Sequence, residues 1–307
     1  MTPKVSVLMA VFNGGDYLQL ALNSIIQQTY DNFEFVIVND GSTDASLEIL
    51  TEFSKRDSRI SLISRENRGL VASLNEGIAI AKAPLIARMD ADDIAHPERL
   101  QKQVDFMKNN VNVVCVGSYY DIIDEDGLKL TSAKAPVKDE QIQSALIRGH
   151  TVICHPTAMY RTDAVKAAGG YEQRFFLVED LDLWLKLGEI GELANIPEPL
   201  LSYRTNSNSV STQNGKIQLE KAESVIREAS IRRNVENKFE LKKHWRPNET
   251  KESQMEFALK YGWWAFNSDN KKAAFKYAKK AIGIKPFSSG GWKLLLSTAI
   301  KLRDIHE

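Results

Sequence analysis

Phe35-Val36-Ile37-Val38-Asn39-Asp40-Gly41-Ser42-Thr43-Asp44 is the stretch whose reading decides the fold. An apolar run, Phe33 to Val38, reads as a strand; the polar, glycine-containing turn after it opens a helical pattern over Thr43 to Phe53. Thr43 or Ser42 is expected as the N-cap of that helix, with Asp44 in its first turn. The same alternation recurs on both sides. Val5 to Met9, Ile60 to Ile63, Pro84 to Met89 and Val111 to Val116 are expected strands; Tyr17 to Gln28, Gly69 to Ala81 and Pro97 to Asn109 are expected helices, Pro97 serving as a first-turn proline. This is the rhythm of βαβ units in a largely parallel α/β sheet, where ligands bind beyond the carboxyl ends of the strands. Polar residues just after each strand therefore matter most.

The second half is less regular. His155 to Tyr160 and Leu200 to Arg204 read as strands, Thr162 to Ala168 as a short helix ended by Gly169-Gly170, and Val178 to Leu187 as another helix. After the polar stretch Thr205 to Gly215, helices are expected at roughly 217–233, 251–267, 270–283 and 290–302. The expected division is a catalytic domain over 1–210 and a helical region over 211–307.

Three acidic elements follow strand ends or open a helix. Asp40 suits either a turn with a helix cap or a ligand contact. Asp90-Ala91-Asp92-Asp93 follows Leu85-Ile86-Ala87-Arg88-Met89, and three carboxylates within four residues repel one another unless a cation is present. A hard divalent ion such as Mg²⁺ or Mn²⁺ offsets that repulsion and keeps positions for phosphate oxygens, whereas the plain alternative is a solvated acidic turn. Glu179-Asp180 opens a helix whose Leu181, Trp184 and Leu185 share one face. Acids at a helix N-terminus are commonly structural. Beside a clamped diphosphate, however, a second carboxylate across the reacting sugar can take the proton from an incoming hydroxyl; Asp180 is the expected base and Glu179 the second candidate.

Composition excludes several classes. Lys plus Arg equals Asp plus Glu at 40 each, so nucleic acid is not expected as a partner. The two cysteines, Cys115 and Cys154, lack metal-ligand spacing and fit a reducing compartment. The N-terminus enters a strand with no charged-then-apolar leader, and no apolar run reaches bilayer length, so a cytoplasmic location is expected. No Lys or Arg lies between Lys4 and Lys55, which leaves the Val11-Phe12-Asn13-Gly14-Gly15 loop without the cation that a P-loop enzyme or nucleotidyltransferase places there. No nucleophile elbow with a Ser-His-Asp set is present. His155 before Pro156 is either a strand-end histidine or a substrate contact.

With these residues laid out, the chain resembles the family-2 glycosyltransferases of the GT-A fold over roughly residues 3 to 210. The resemblance is carried, in order, by Val5-Ser6-Val7-Leu8-Met9-Ala10-Val11-Phe12-Asn13, Ser24-Ile25-Ile26-Gln27-Gln28-Thr29, Val38-Asn39-Asp40-Gly41-Ser42-Thr43-Asp44, Asn67-Arg68-Gly69-Leu70, Arg88-Met89-Asp90-Ala91-Asp92-Asp93, and Glu179-Asp180-Leu181-Asp182-Leu183-Trp184. It implies an α/β GT-A enzyme with a C-terminal helical extension: an inverting, metal-dependent hexosyltransferase that takes Mn²⁺ or Mg²⁺. The donor would be a UDP-sugar and the acceptor a hydroxyl of a glycan or lipid-linked saccharide in surface polysaccharide synthesis. By the same resemblance Ala10, Phe12 and Asp40 would hold the base, with Phe12 stacking where tyrosine is more usual. Asn13, Asn67 and Ala91 would line the donor, and Arg68 would reach the base or phosphates. Asp90 is expected near the ribose, and Asp92 with Asp93 on the metal. Asp180 matches the inverting base; Trp184 either supports the acceptor or simply packs. Many relatives carry a histidine two places after the Tyr203-Arg204 pair, where this chain has Asn206. Either metal affinity is weaker or Arg204 supplies phosphate charge. The Gln-x-x-Arg-Trp element of processive synthases is absent, which implies single-sugar addition.

From Asn270 to Leu302 there are eight lysines and no acidic residue, interleaved with Phe275, Tyr277, Phe287 and Trp292. Two readings stand: peripheral docking on the anionic inner face of the plasma membrane, or a helical cap whose lysines stay solvated. A nucleotide-sugar-forming nucleotidyltransferase is the competing enzyme class, and a sugar-nucleotide-binding protein without catalysis is the third reading.

Overall fold

The computed structural model describes residues 2–205, 215–240 and 250–303. They fall into two compact units: Met1–Tyr120 with Lys134–Tyr203 and Gln213–Lys243, and Asp121–Ala133 with Arg204–Thr212 and His244–Glu307. The division differs from a single cut near residue 210, because a segment from mid-chain groups with the C-terminal helices.

The first unit is built on strands β1 (Val5–Val11), β2 (Phe33–Asp40), β3 (Ile60–Arg65), β4 (Leu85–Met89), β5 (Ile94–Ala95), β6 (Val113–Ile123), β8 (Met159–Arg161) and β9 (Glu192–Arg204), the last residues of β6 and β9 belonging to the second unit. Their order is β3-β2-β1-β4-β8-β6-β9-β5. The β1–β2, β1–β4 and β2–β3 pairs are parallel, as the alternating pattern implies; the β4–β8, β6–β8 and β5–β9 pairs are antiparallel. Both faces of β1 are covered, so its apolar residues run without interruption. Val5, Val7, Met9 and Val11 pack with Leu18, Leu22 and Ile25 of α1 (Leu18–Ile26) and Leu100 of α4 (Arg99–Asn109). Leu8 and Val36 pack with Val71, Leu74 and Ile78 of α3 (Leu70–Ile80) and with Leu181 and Leu185 of α7 (Glu179–Leu187). Helix α3 lies so close to β1 that any Cβ on Gly77 would overlap the Leu8 side chain.

Register then places the polar residues. Met9 pairs with both Ile37 and Met89, and Asp40 with Arg65, so the segments after β1, β2 and β4 emerge along one edge of the sheet. The Ser24-to-Thr29 motif ties this edge together from behind. Ser24 Oγ accepts the Ala95 N–H at 3.0 Å, while Gln28 donates to the His96 carbonyl at 2.7 Å and accepts from the Leu100 N–H at 2.9 Å.

Several expectations need correction. Helix α2 (Ser46–Arg56) starts three residues later than expected and neither Ser42 nor Thr43 caps it; Asp44 closes the turn instead, accepting from the Ser46 N–H at 3.0 Å. Pro97 precedes α4 by two residues and uses its carbonyl to receive the Thr29 N–H at 2.9 Å. His155–Thr157 is a 3-10 turn rather than strand, because the Pro156 ring removes a ladder donor; the strand begins at Met159. Leu200 to Arg204 is the end of the much longer β9. The sequence reading also missed β5, β7 (Lys129–Ala133) and α5 (Asp139–Leu146). Helix α6 (Thr162–Ala167) is as expected and α8 (Gly215–Arg233) starts two residues early.

In the second unit β7 pairs with β6 across a turn closed by Asp124, whose Oδ1 accepts the Asp126 and Leu128 N–H groups at 3.1 and 2.9 Å. Helices α9 (Lys251–Asn267), α10 (Lys271–Ile284) and α11 (Ser289–Arg303) follow, and Asn270 caps α10 through the Ala273 N–H at 3.1 Å. Their core joins Leu130 to Ala258, Tyr261, Ala265, Ala273, Ala274 and Tyr277. Among the described residues no helix is long and apolar enough to cross a membrane.

Candidate active site

At the end of β1, Phe12 is exposed and Asn13 adopts the left-handed backbone conformation, with φ 52°. That turn is fastened to the one after β2. Asn13 Oδ1 accepts the Thr43 N–H at 2.8 Å, its own N–H reaches Ser42 Oγ at 3.0 Å, and Asp44 Oδ2 accepts from Gly15 at 3.1 Å. Ala10 is partly buried at the same strand end.

Asp40 is buried at the end of β2 and spends most of its acceptor capacity on the chain itself. Oδ1 takes the Arg68 N–H at 2.8 Å and an ion pair from Arg65; Oδ2 takes the Gly69 N–H at 2.9 Å. Burial pushes its carboxyl up, but the Arg68 N–H, the Arg65 guanidinium and the Gly69 N–H outweigh that and hold it below the usual carboxylate value. Arg65 is braced by Glu76 at 2.6 Å and Ser73 at 3.0 Å. Asp40 thus clamps the Asn67-Arg68-Gly69 turn. Gly41, with φ 73°, is required beside it because a Cβ there would sit 2.6 Å from the Asn67 nitrogen. The Arg68 side chain stays largely exposed, 3.5 Å from Glu66.

Beyond β4, Asp90, Asp92 and Asp93 each bring a carboxylate oxygen within 4.8 Å of the others, Asp93 buried and the other two half-buried, with Ala91 between them. Behind them lie two buried arginines. Arg88 forms an ion pair with Asp90; burial works against its charge, yet Asp90 raises its pKa above the ordinary value. Arg99 donates to the Arg88 carbonyl at 2.7 Å and to Gln103 at 3.0 Å, and its pKa is pushed down to about 10, first by burial and then by the charge of Arg88.

Glu179 and Asp180 open α7. Glu179 is buried and accepts the Leu177 N–H at 2.7 Å; Leu177 holds φ 87°, a costly conformation for a branched residue. That turn is gripped from α8, where Gln218 donates to the Leu177 carbonyl at 3.1 Å and Lys221 to the Phe176 carbonyl at 3.0 Å. Burial raises both carboxyls. For Glu179 the charge of Asp180 adds to the rise; for Asp180 the Leu181 N–H and the charge of Arg88 oppose it, and Asp90 reinforces it.

His155 bonds the Tyr171 hydroxyl at 2.7 Å, and burial followed by Arg88 keeps it neutral, well below the usual histidine value. Its ring meets Trp184 edge-on at 5.8 Å. Trp184 is fully buried, with its indole N–H on the Ile153 carbonyl at 3.2 Å. Cys154 carries a thiol raised well above its usual value by burial and then by Asp93 and Asp90. Arg204 belongs to the second unit, where it donates to the Asp124 and Glu125 carbonyls at 3.0 and 3.1 Å. Asn206 lies outside the described residues. Sequence reasoning did not assign Arg65, Arg99, Gln218 or Lys221; the basic residue pairing with a strand-end acid one strand away is the one signal that could have found Arg65.

A mostly parallel sheet with an acid cluster beyond its fourth strand, a clamped turn after its second and helices on both faces is a GT-A fold. The chain belongs to glycosyltransferase family 2, whose pattern, described as "Glycosyl transferase family 2", matches residues 6–169. It is 34% identical over 238 residues to an uncharacterized glycosyltransferase of Haemophilus influenzae, covering 74% of this chain and 73% of the relative. It is 32% identical to the O-antigen biosynthesis glycosyltransferase WbnJ of Escherichia coli, over 67% of this chain and 81% of that one. Among solved structures, Staphylococcus aureus TarS 1–349 in complex with UDP-GlcNAc superposes with a TM-score of 0.62 at 15% identity, over 96% of this chain and 79% of that one. The Pyrobaculum calidifontis mannosyltransferase PcManGT in complex with GDP-Man and Mn²⁺ gives 0.55 at 15% identity, over 98% and 87%. At such identity these two share the fold.

Proposed function

We propose that this transferase moves a hexose from a UDP-sugar to a hydroxyl of a glycan or lipid-linked saccharide, with inversion, on the cytoplasmic side of the membrane during surface polysaccharide synthesis. The observation that carries the reading is the cluster of Asp90, Asp92 and Asp93 beyond β4 in a chain of glycosyltransferase family 2; that Asp180 feels the charges of Arg88 and Asp90 supports a common site for the acidic pair and the cluster. Three carboxylates this close fit a hard divalent cation, Mn²⁺ or Mg²⁺, held by Asp92 and Asp93. When bound, that ion supplies neutralisation of the departing diphosphate. Phe12 and Asp40, with the Asn13 and Asn67–Gly69 turns, hold the base and ribose side of the donor, and Asp90 takes the ribose. Asp180, raised by burial but favoured in its charged form by Arg88, receives the proton of the acceptor hydroxyl. Glu179 keeps the preceding turn in its left-handed form and so aims Asp180. His155, half-buried and hydrogen-bonded to Tyr171, lines the acceptor side. Incubation with a panel of UDP-sugars and Mn²⁺, scored by UDP release and by the anomeric configuration of the product, tests this. One UDP-hexose should turn over with inversion; release of pyrophosphate from UTP and a sugar phosphate would instead establish a nucleotidyltransferase.

A further inference from the structure

The terminal helix of the second unit keeps an apolar face turned away from its own core. In α11, Gly291, Leu294 and Thr298 are buried, whereas Trp292, Leu296 and Ile300, spaced by four, lie on the opposite side and are 47%, 61% and 61% exposed. Phe287, in the turn before, is fully exposed. Trp292 is held in place by its indole N–H on the Pro286 carbonyl at 2.8 Å.

The charge carried by α10 and α11 themselves up to Leu302 has one sign. Between Asn270 and Leu302 there is no acidic residue. Lys276 is engaged by Asp124 and Asp126 at 2.7 and 2.6 Å, and Lys285 by Glu252. Lys272, Lys279, Lys280 and Lys293 are exposed, and no ion pair holds them among the described residues. An apolar ridge on a helix that carries exposed Lys293, packed beside a helix that carries exposed Lys272, Lys279 and Lys280, asks for a partner that is apolar within and anionic at its surface. A second copy offering the same face would set like charges against each other.

We propose that α11 and the turn before it form a membrane-docking face: Phe287, Trp292, Leu296 and Ile300 enter the boundary between headgroups and acyl chains, and Lys272, Lys279, Lys280 and Lys293 meet anionic lipid phosphates. The proposal rests on the second unit and stands apart from the donor and base assignments, so either can fail alone.

The test is co-sedimentation of the full chain with phosphatidylcholine vesicles, with and without about 30 mol% phosphatidylglycerol. Wild type should pellet with the anionic vesicles and stay in the supernatant with the neutral ones. Lys279→Gln/Lys280→Gln/Lys293→Gln should weaken partitioning about a hundredfold, since each lysine at the surface contributes about fivefold. Leu296→Ser/Ile300→Ser should weaken it by at least about tenfold. UDP release should be unchanged in both variants. Should the serine variant misfold by circular dichroism, the glutamine variant, altered at exposed positions alone, decides. Equal recovery of wild type from both vesicle types overturns the proposal. So does a wild-type dimer that Leu296→Ser/Ile300→Ser dissociates while no vesicle binding is seen, which would assign the face to a second copy.

Discussion

Replacing Asp40 by Asn probes the clamp under the donor site while nearly preserving shape. The buried carboxylate accepts two backbone N–H groups, at 2.8 and 2.9 Å, and pairs with Arg65. A hydrogen bond to a charged group contributes about 1.5–3 kcal/mol, and an amide must turn an NH₂ toward one of its former donors. Arg65 keeps Glu76, which limits the penalty of stranding its charge. Together these give a loss of about 3 kcal/mol in unfolding free energy by urea titration. The pH dependence carries its own sign. Asp40 has a folded pKa below its unfolded one, so its contribution is fully present above the ordinary carboxylate value near about 4 and is lost as pH falls through the depressed value. The gap between wild type and variant should therefore be constant from pH 5 to 8, within about 0.5 kcal/mol, and shrink below about pH 4. Donor affinity should fall with it, because the Asn67–Gly69 turn loses its anchor. A gap under about 0.5 kcal/mol, or one that persists at acid pH, refutes the clamp.

Lys221→Ala should lower kcat while leaving donor Kd unchanged, since Lys221 braces the Phe176-Leu177 backbone that aims the acidic pair; stopped-flow donor binding separates the two. The acid limb of kcat/KM should lie above the ordinary aspartate range, because a raised Asp180 loses its base form on acidification at higher pH than a free carboxylate; a pH–rate profile reads it directly. Gly77→Ala should cost about 1–3 kcal/mol through overlap with Leu8, measured by thermal unfolding. Cys115 and Cys154 should both resist iodoacetamide at pH 8 in the folded chain, as burial raises both thiols, and mass spectrometry would count any adduct.

Much of this molecule was legible before the structure. The apolar runs of β1, β2 and β4 declare buried parallel strands, so the position of Asp40 and of Asp90 to Asp93 at the strand ends follows from the pattern, while the roles expected of them came from the family resemblance. What escaped has a common cause. Arg65 finds Asp40 by strand pairing across 25 residues, and Gln218 finds Leu177 across 41, and no local pattern encodes either partner. The Asp44 turn defeated the expected Ser42 or Thr43 cap because its second oxygen is drawn to Gly15, a contact between loops. Short strands such as β5 carry too few residues to show a period, and the antiparallel run of β9 is interrupted by Pro197 and Pro199. Trp184 shows the limit from the other side: its full burial and its edge-on contact with His155 are tertiary facts that its place in the motif does not announce.

The most direct measurement is a pair of constants for Asp180→Asn: donor Kd by calorimetry with UDP-hexose and Mn²⁺, and turnover under saturating acceptor. The account predicts an unchanged Kd and a turnover lower by about 10²–10⁴-fold, the contribution of one positioned base. Turnover at the wild-type rate would contradict it, and the proton would have to leave by another group.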